Sequence, residues 1–268
     1  MMIKGFSTGM YGWHERYRLD QREDSWDDIF RECAEAGMNA VEIDPTPELV
    51  RLAKGYGLSV SGGYIGLNLH EPVIPFEESV IPLIKGLAEA GGSDLVVNAD
   101  PKGGWGVALP KTEDEFKRQG EHMSRIAAAA GEWGLKVSLH NHADEKHNAE
   151  GDLRSVIEYA SADVGLCVDT GWAHVAGADP IEWIRTYPER IYAFHLRNQM
   201  GRIPTEDLLE GEIDMAKLAR ALTDIGYSGW LAFELLHNEE NRPVRTMIED
   251  VRRSVDYLKP FFRIEGSP

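Results

Sequence analysis

Four residues able to bind a metal ion close four short apolar runs of the chain. His140 ends the run from Val137, Asp169 the run from Leu166, His195 the run from Tyr192, and Glu234 the run from Leu231. They stand 29, 26 and 39 residues apart. Dividing about 250 residues among eight strand-plus-helix units gives roughly 31 per unit, so each interval is about one unit. Two imidazoles and two carboxylates suit one divalent ion of hard-to-borderline character: Mn, Mg, Co or Zn. An ion of that kind holds negative charge developing on carbonyl or hydroxyl oxygens. A base beside it can then take a proton from the neighbouring carbon.

Side-chain parity argues that the four share one place. Residues two apart face the same side of a strand. Two before each polar residue stand Ser138, Cys167, Ala193 and Ala232, all small, while Leu139, Val168, Phe194 and Phe233 at the alternate positions are bulky. Small side chains suit the narrow interior of a barrel and bulky ones its outer layer under helices. Ala40 and Glu42 repeat the rule. One inward histidine or aspartate is ordinarily a hydrogen-bonded core group. Four ligand types of one parity on consecutive strands are hard to explain as packing.

The elements that must position them can be read along the chain. Candidate strands are Ile3–Thr8, Ala40–Ile43, Leu58–Gly63, Leu95–Asn98, Lys136–His140, Val164–Asp169, Ile191–His195 and Trp230–Glu234. Amphipathic stretches lie between them, among them Trp26–Ala36 before Gly37, Thr112–Trp133 before Gly134, and Asp214–Ile225 before Gly226. Thr46, Thr112 and Asp214 are expected to cap helix starts, and the glycines to stop them. Eight strands alternating with helices predict an α/β fold, a single (β/α)8 barrel spanning residues 1–268, with the polar residues at the C-terminal mouth of the strands. The rival is an open doubly wound sheet. It has no Gly-x-Gly-x-x-Gly run after the first strand to support it.

Composition narrows the function classes. Hydrophobic residues at 43% and charged residues at 27% are ordinary for a globular chain of 268 residues. A formal net charge of −17 repels phosphate backbones and anionic lipid, so neither nucleic acid nor membrane is an expected partner. Cys33 and Cys167 fall in apolar patterns and read as reduced core thiols. The first residues lack the apolar core of a secretory signal, and the cytoplasm is the expected compartment.

The chain resembles the xylose isomerase-like TIM-barrel superfamily of sugar phosphate isomerases and epimerases, which also holds inosose dehydratases and AP endonucleases. The resemblance is carried by Glu35-Ala36-Gly37 before Val41-Glu42, by Leu139-His140-Asn141-His142, and by Val168-Asp169-Thr170-Gly171-Trp172. Ala176 to Pro180, Phe194-His195-Leu196-Arg197, and Gly226 to Trp230 leading to Phe233-Glu234 complete it. It covers nearly the whole chain and implies one metal ion, held after strands five to eight by Glu, Asp, His and Glu. Asp169, His195 and Glu234 match that pattern. His140 departs from it, since many relatives carry Glu there, and inosose dehydratases are similar to this chain in carrying histidines in that run. Trp172 also departs, standing where many relatives have His; His174 lies two residues on.

Taken together, these observations assign the metal to His140, Asp169, His195 and Glu234. The resemblance implies that Glu234 also serves as base. His142 shares parity with His140 if the strand continues and is the next acid–base candidate, against a supporting or loop role. Arg197, Glu42, His174 and Trp172 are candidate substrate contacts. For Arg197 the alternative is a salt bridge, and for Glu42 an anchor of the barrel floor. Trp13, His14 and Trp105 fall in or near strand-to-helix loops, while His70 and His237 are candidates for the rim. The expected activity is metal-dependent isomerisation or epimerisation of a keto-sugar or sugar phosphate. The alternatives are a lyase that dehydrates an inosose or keto-sugar at the same site, and a non-catalytic sugar-binding or partner subunit. The expected partner is a small polyhydroxylated substrate, with homo-oligomerisation left open.

Overall fold

The structure, a computed structural model, describes residues 1–143 and 145–265. Eight strands close one parallel barrel in chain order. They are β1 (Gly5–Gly9), β2 (Ala40–Glu42), β3 (Ser59–Leu67), β4 (Asp94–Ala99), β5 (Lys136–His140), β6 (Val164–Asp169), β7 (Ile191–Leu196) and β8 (Trp230–Phe233). The last strand pairs with the first, Trp230 opposite Gly5 and Phe233 opposite Thr8. It also pairs with β7, Ala232 opposite His195. The expected barrel is therefore what forms, with five of the eight strands shifted at their ends by one or two residues. The largest difference is β3, which runs four residues past Gly63.

The packing follows the parity of the sequence. Leu139, Val168, Phe194 and Phe233 belong to the large outer core between sheet and helices. Val96, Cys167 and Ala193 form a separate small cluster inside the barrel. Nearby interior space is taken by Ser7 and Ser61, whose hydroxyls share a hydrogen bond of 2.6 Å. The outer core is where burial stabilises most: Phe233 packs on Phe6 with ring centroids 5.5 Å apart. Truncating such a phenylalanine to alanine costs about 3–5 kcal/mol. Cys33 and Cys167 are both free and buried.

Helix punctuation sets where each strand can begin again. Ser25 caps α2 (Trp26–Glu35, after α1 at Tyr11–Leu19), accepting from the Asp28 amide. Thr46 caps α3 (Pro47–Gly55), which is followed by α4 (Ile81–Ala90). Thr112 and Glu115 form a reciprocal capping box at the start of α5 (Glu113–Gly131). The chain then builds α6 (Lys146–Ile157), α7 (Thr170–Val175), α8 (Pro180–Thr186), α9 (Met215–Asp224, capped by Asp214) and α10 (Met247–Leu258). Gly37 and Gly226 follow helix ends in left-handed conformation, φ 93° and 68°, which side chains resist. Below the barrel Met2–Ile3 pairs in parallel with Arg263–Ile264. Among the described residues no helix is long and apolar enough to cross a membrane.

Candidate active site

His140, Asp169, His195 and Glu234 converge at the C-terminal mouth, one ligand atom from each lying within 4.8 Å of all the others. His140 Nε2 is 3.5 Å from an Asp169 oxygen and 3.7 Å from Glu234 Oε2. His195 Nδ1 is 3.2 Å from the same Glu234 oxygen. Ligands bound at about 2.0–2.3 Å stand at most about 4.6 Å apart across an ion, and the separations of 3.2–3.7 Å lie inside that limit.

Each imidazole has one nitrogen committed outward and one left facing the cluster. His140 Nδ1 lies 3.4 Å from the Asn98 side-chain oxygen, and His195 Nε2 donates to Glu42 at 3.1 Å. Partners of this kind fix a tautomer and aim the other nitrogen. His140 Nε2, His195 Nδ1 and Glu234 Oε2 are buried and have no hydrogen-bond partner. A buried polar atom left unpaired costs about 1–3 kcal/mol, and three of them facing one point are what a cation would satisfy, a proton on His195 in the metal-free protein or a metal ion in its place. By this test the donor set suits a divalent ion.

The segment that follows β6 is shaped around Arg197. The Arg197 Nε lies 3.1 and 3.0 Å from the two Asp169 oxygens, and its terminal nitrogen is 2.9 Å from Asp169 and 3.5 Å from Glu234. The Thr170 hydroxyl donates to the Arg197 carbonyl at 2.6 Å and accepts from its amide at 3.0 Å. A side chain on Gly171 would meet the Arg197 stem at 2.6 Å. The Trp172 ring lies 5.0 Å from the guanidinium. Four consecutive residues thus hold one arginine. The Asp169 backbone is fixed separately by reciprocal bonds with the Asn141 side chain.

Charge at the site is set by this packing. Burial alone would raise the Glu234 carboxyl, but Arg197 and His195 outweigh it and hold Glu234 well below the usual carboxylate range. Burial would lower His195; Cys167, Glu42 and Glu234 reverse that and raise it well above an ordinary histidine. Burial also pushes the Cys167 thiol up to about 11, so Cys167 is uncharged near pH 7 and the two carboxylates are the effective cause. His142 goes the other way: burial, then His140 and Arg197, lower it to about 3, so its ring is neutral near pH 7.

A cavity of about 640 Å³ opens above the cluster, lined by Glu42, His142, Trp172, His195, Arg197 and Glu234 among others. Six of the sequence-derived candidates therefore meet there, with Trp105 beside them. His174 does not: α7 turns it away to pair with Glu212 at 2.8 Å. His237 is not a rim residue either. It is fully buried, between Arg16 at 2.9 Å and Asp250 at 3.2 Å. Trp13 is core, donating to Thr8, and His14 pairs with Asp24. His70 is buried.

The sequence reading passed over Tyr64, Tyr11 and Trp26, which also line the cavity. The Tyr64 ring stacks 6.1 Å from His195 and meets His140 edge-on at 5.5 Å. Strict alternation from Ser61 would turn residue 64 outward. The pairing of β2 with β3 skips one residue there, Val41 opposite Val60 but Glu42 opposite Gly62. That bulge reverses the parity and brings Tyr64 to the mouth.

The family model for the xylose isomerase-like TIM barrel matches residues 30–261. The chain belongs to that family. Among xylose isomerase-like relatives, the rhizopine catabolism protein MocC of Rhizobium meliloti is 24% identical over 213 residues, covering 69% of this chain and 65% of that protein. An inosose dehydratase of Lacticaseibacillus casei is 25% identical over 190 residues, covering 60% of this chain and 64% of the relative. The chain thus spans just under two thirds of the length of these two relatives. The structure of D-psicose 3-epimerase with D-tagatose from Clostridium cellulolyticum H10 superposes with a TM-score of 0.73. It is 16% identical and covers 97% of this chain and 99% of that one, a likeness of fold.

Proposed function

We propose that this member of the xylose isomerase-like family is a divalent-metal-dependent enzyme that removes the proton beside the carbonyl of a keto-sugar or related polyhydroxylated ketone. The observation that carries the reading is the trio of unpaired, buried, converging atoms on His140, His195 and Glu234, with Asp169 completing the set. These four residues would hold the ion, which when bound supplies Lewis-acid polarisation of carbonyl and adjacent hydroxyl oxygens. Glu234, kept ionised by its neighbours, takes the proton from carbon. Arg197 presents a fixed positive charge where negative charge develops on oxygen. Trp172 and Tyr64 wall the ring and exclude water. His142, neutral near pH 7, accepts a hydroxyl hydrogen bond and is not a cationic acid.

Isomerisation or epimerisation and loss of water both begin with that proton. One feature favours water loss. Epimerisation returns a proton to the opposite face, and the strand-five position that would carry a second carboxylate carries His140, with its free nitrogen turned into the ligand set. Elimination needs one base. Glu234 takes the proton from carbon and passes it to the departing hydroxyl, so a C–H and a C–O bond break, a C=C bond forms and water leaves. The dehydratase names among the relatives accord with this. Epimerisation is the second reading, and a sugar-binding subunit without turnover is the third. The proposed setting is the cytoplasm, supported by two unpaired buried thiols.

The test is a panel of keto-sugars and inososes incubated with Mn, Co or Mg, read by chromatography for isomers and by absorbance for unsaturated ketone. Glu234→Gln, which keeps the shape and removes the basicity, should lower turnover by about 10²–10⁴-fold. Unchanged activity after chelation would refute the reading.

A further inference from the structure

We infer that the natural substrate is an uncharged molecule of two sugar rings, one ring reacting at the metal centre and the second seated in a side cavity. The inference rests on the proposed function above and names its substrate class.

Beside the mouth lies a second cavity of about 360 Å³. Trp105, His142 and Trp172 line both cavities and form their common wall. Within that wall His142 packs 4.7 Å edge-on against Trp105 and 4.2 Å from Trp172. The mouth cavity alone, about 640 Å³, falls mid-way in the range of about 300–1,000 Å³ that encloses drug-sized ligands. The side cavity extends that space past an aromatic partition, and aromatic rings receive the apolar faces of sugars.

The polar lining of the side cavity selects hydroxyls. Lys111, Glu145, Asn148 and Asp152 reach it. Lys111 is buried and its ammonium is spent on Asp152 and Gln119, each at 3.0 Å. Arg197 in the mouth is likewise paired with a carboxylate, that of Asp169. Among the described residues lining the two cavities, no cation stands without a carboxylate partner, while Glu42, Asp44, Glu145 and Glu234 add negative charge. With a divalent ion counted, the four carboxylates of Glu42, Asp44, Asp169 and Glu234 still exceed Arg197 and the ion by one charge, and in the side cavity Glu145 and Asp152 exceed Lys111 by one, so a phosphate would meet net repulsion in either cavity. Hydroxyl groups, which both donate and accept, match this lining.

Trp105 is carried on a loop whose Gly103, Gly104 and Gly106 all have φ between 82° and 93°. Trp105 as a residue is 61% exposed, so the partition stands at the surface end of the cleft where a linked second ring would pass.

The experiment is calorimetric titration of the Mn-loaded full chain with fructose, fructose 6-phosphate and four neutral ketose-ended disaccharides of different linkage: lactulose, maltulose, isomaltulose and turanose. At least one disaccharide is expected to bind about tenfold or more tighter than fructose, and fructose 6-phosphate weakest. Ala108→Phe fills the side cavity without touching the metal residues. It should abolish the disaccharide advantage and leave fructose and Mn binding unchanged. Ala143→Leu, which lines the same cavity, repeats the test if Ala108→Phe melts early. Fructose binding as well as every disaccharide, the phosphate binding best, or both variants weakening fructose equally would each overturn the inference. Failure to bind Mn at all would instead overturn the functional reading, which separates the two.

Discussion

The guanidinium of Arg197 lies along the carboxylate of Asp169, with contacts of 2.9–3.1 Å to its two oxygens, both residues being buried. The aspartate that would bind a metal is therefore already neutralised by the protein's own cation. Metal and arginine would share one acidic group, and this coupling can be measured.

Arg197→Met keeps a long apolar stem and removes the charge. Without metal, Asp169 is left buried with the Trp172 amide but without a cationic partner, and the loss should be about 3–5 kcal/mol. Binding of Mn should then restore more stability in the variant than in the parent. Thermal melts of both proteins with and without Mn decide it; an equal metal-induced shift in both would show that the two cations do not share the carboxylate.

Gly171→Ala probes the same arrangement from the other side. A methyl there would stand 2.6 Å from the Arg197 stem and 2.8 Å from the Gln199 amide. Although alanine is the better helix former by about 1 kcal/mol, the variant should lose turnover by about tenfold or more as the guanidinium is displaced. The check is kcat with Mn content measured alongside; full activity would mean that the stem has room to shift.

His140→Glu tests whether imidazole is needed at strand five. The variant should still bind Mn, and its product distribution should move from dehydration toward epimer, because a second carboxylate becomes available. A neutral ligand leaves the ion more positive than a carboxylate would, which favours a departing hydroxyl. Retention of an unchanged product ratio would show that the histidine carries no mechanistic meaning.

The raised titration of His195 gives a pH dependence with a definite sign. In the metal-free protein its extra proton, held between Glu42 and Glu234, contributes stability fully below the unfolded value near 6.5. That contribution is lost as pH rises through the higher folded value. Metal would have to displace that proton, so Mn affinity should rise with pH until the raised folded value is passed, and binding below that value should release protons. Titration in buffers of different ionisation enthalpy measures the release; pH-independent affinity between 6 and 8 would contradict it.

Much of the barrel was legible because the small-then-polar rule at Ser138/His140, Cys167/Asp169, Ala193/His195 and Ala232/Glu234 encodes inside and outside on each strand. Tyr64 was not legible, since a one-residue bulge beside Ser61 changes parity and leaves no mark in composition. Glu42 was found, but its bond to His195 depends on side chains 153 residues apart. His174 and His237 look like site residues by type. A short helix turns one onto Glu212, and the other is drawn into a buried network with Arg16 and Asp250. The side cavity was invisible for a related reason: it exists only where the 101–108 loop folds back against His142 and Trp172.

The pairing of Met2–Ile3 with Arg263–Ile264 has a practical consequence. Met2 leads directly into β1, so both segments lie at the end of the barrel opposite the mouth. A tether attached through either segment would hold the molecule by its base, with the mouth turned toward solution. Immobilised on a sensor surface or an electrode in this way, every copy would present the same face to a passing solute. Binding measured on such a surface should agree with binding measured free in solution.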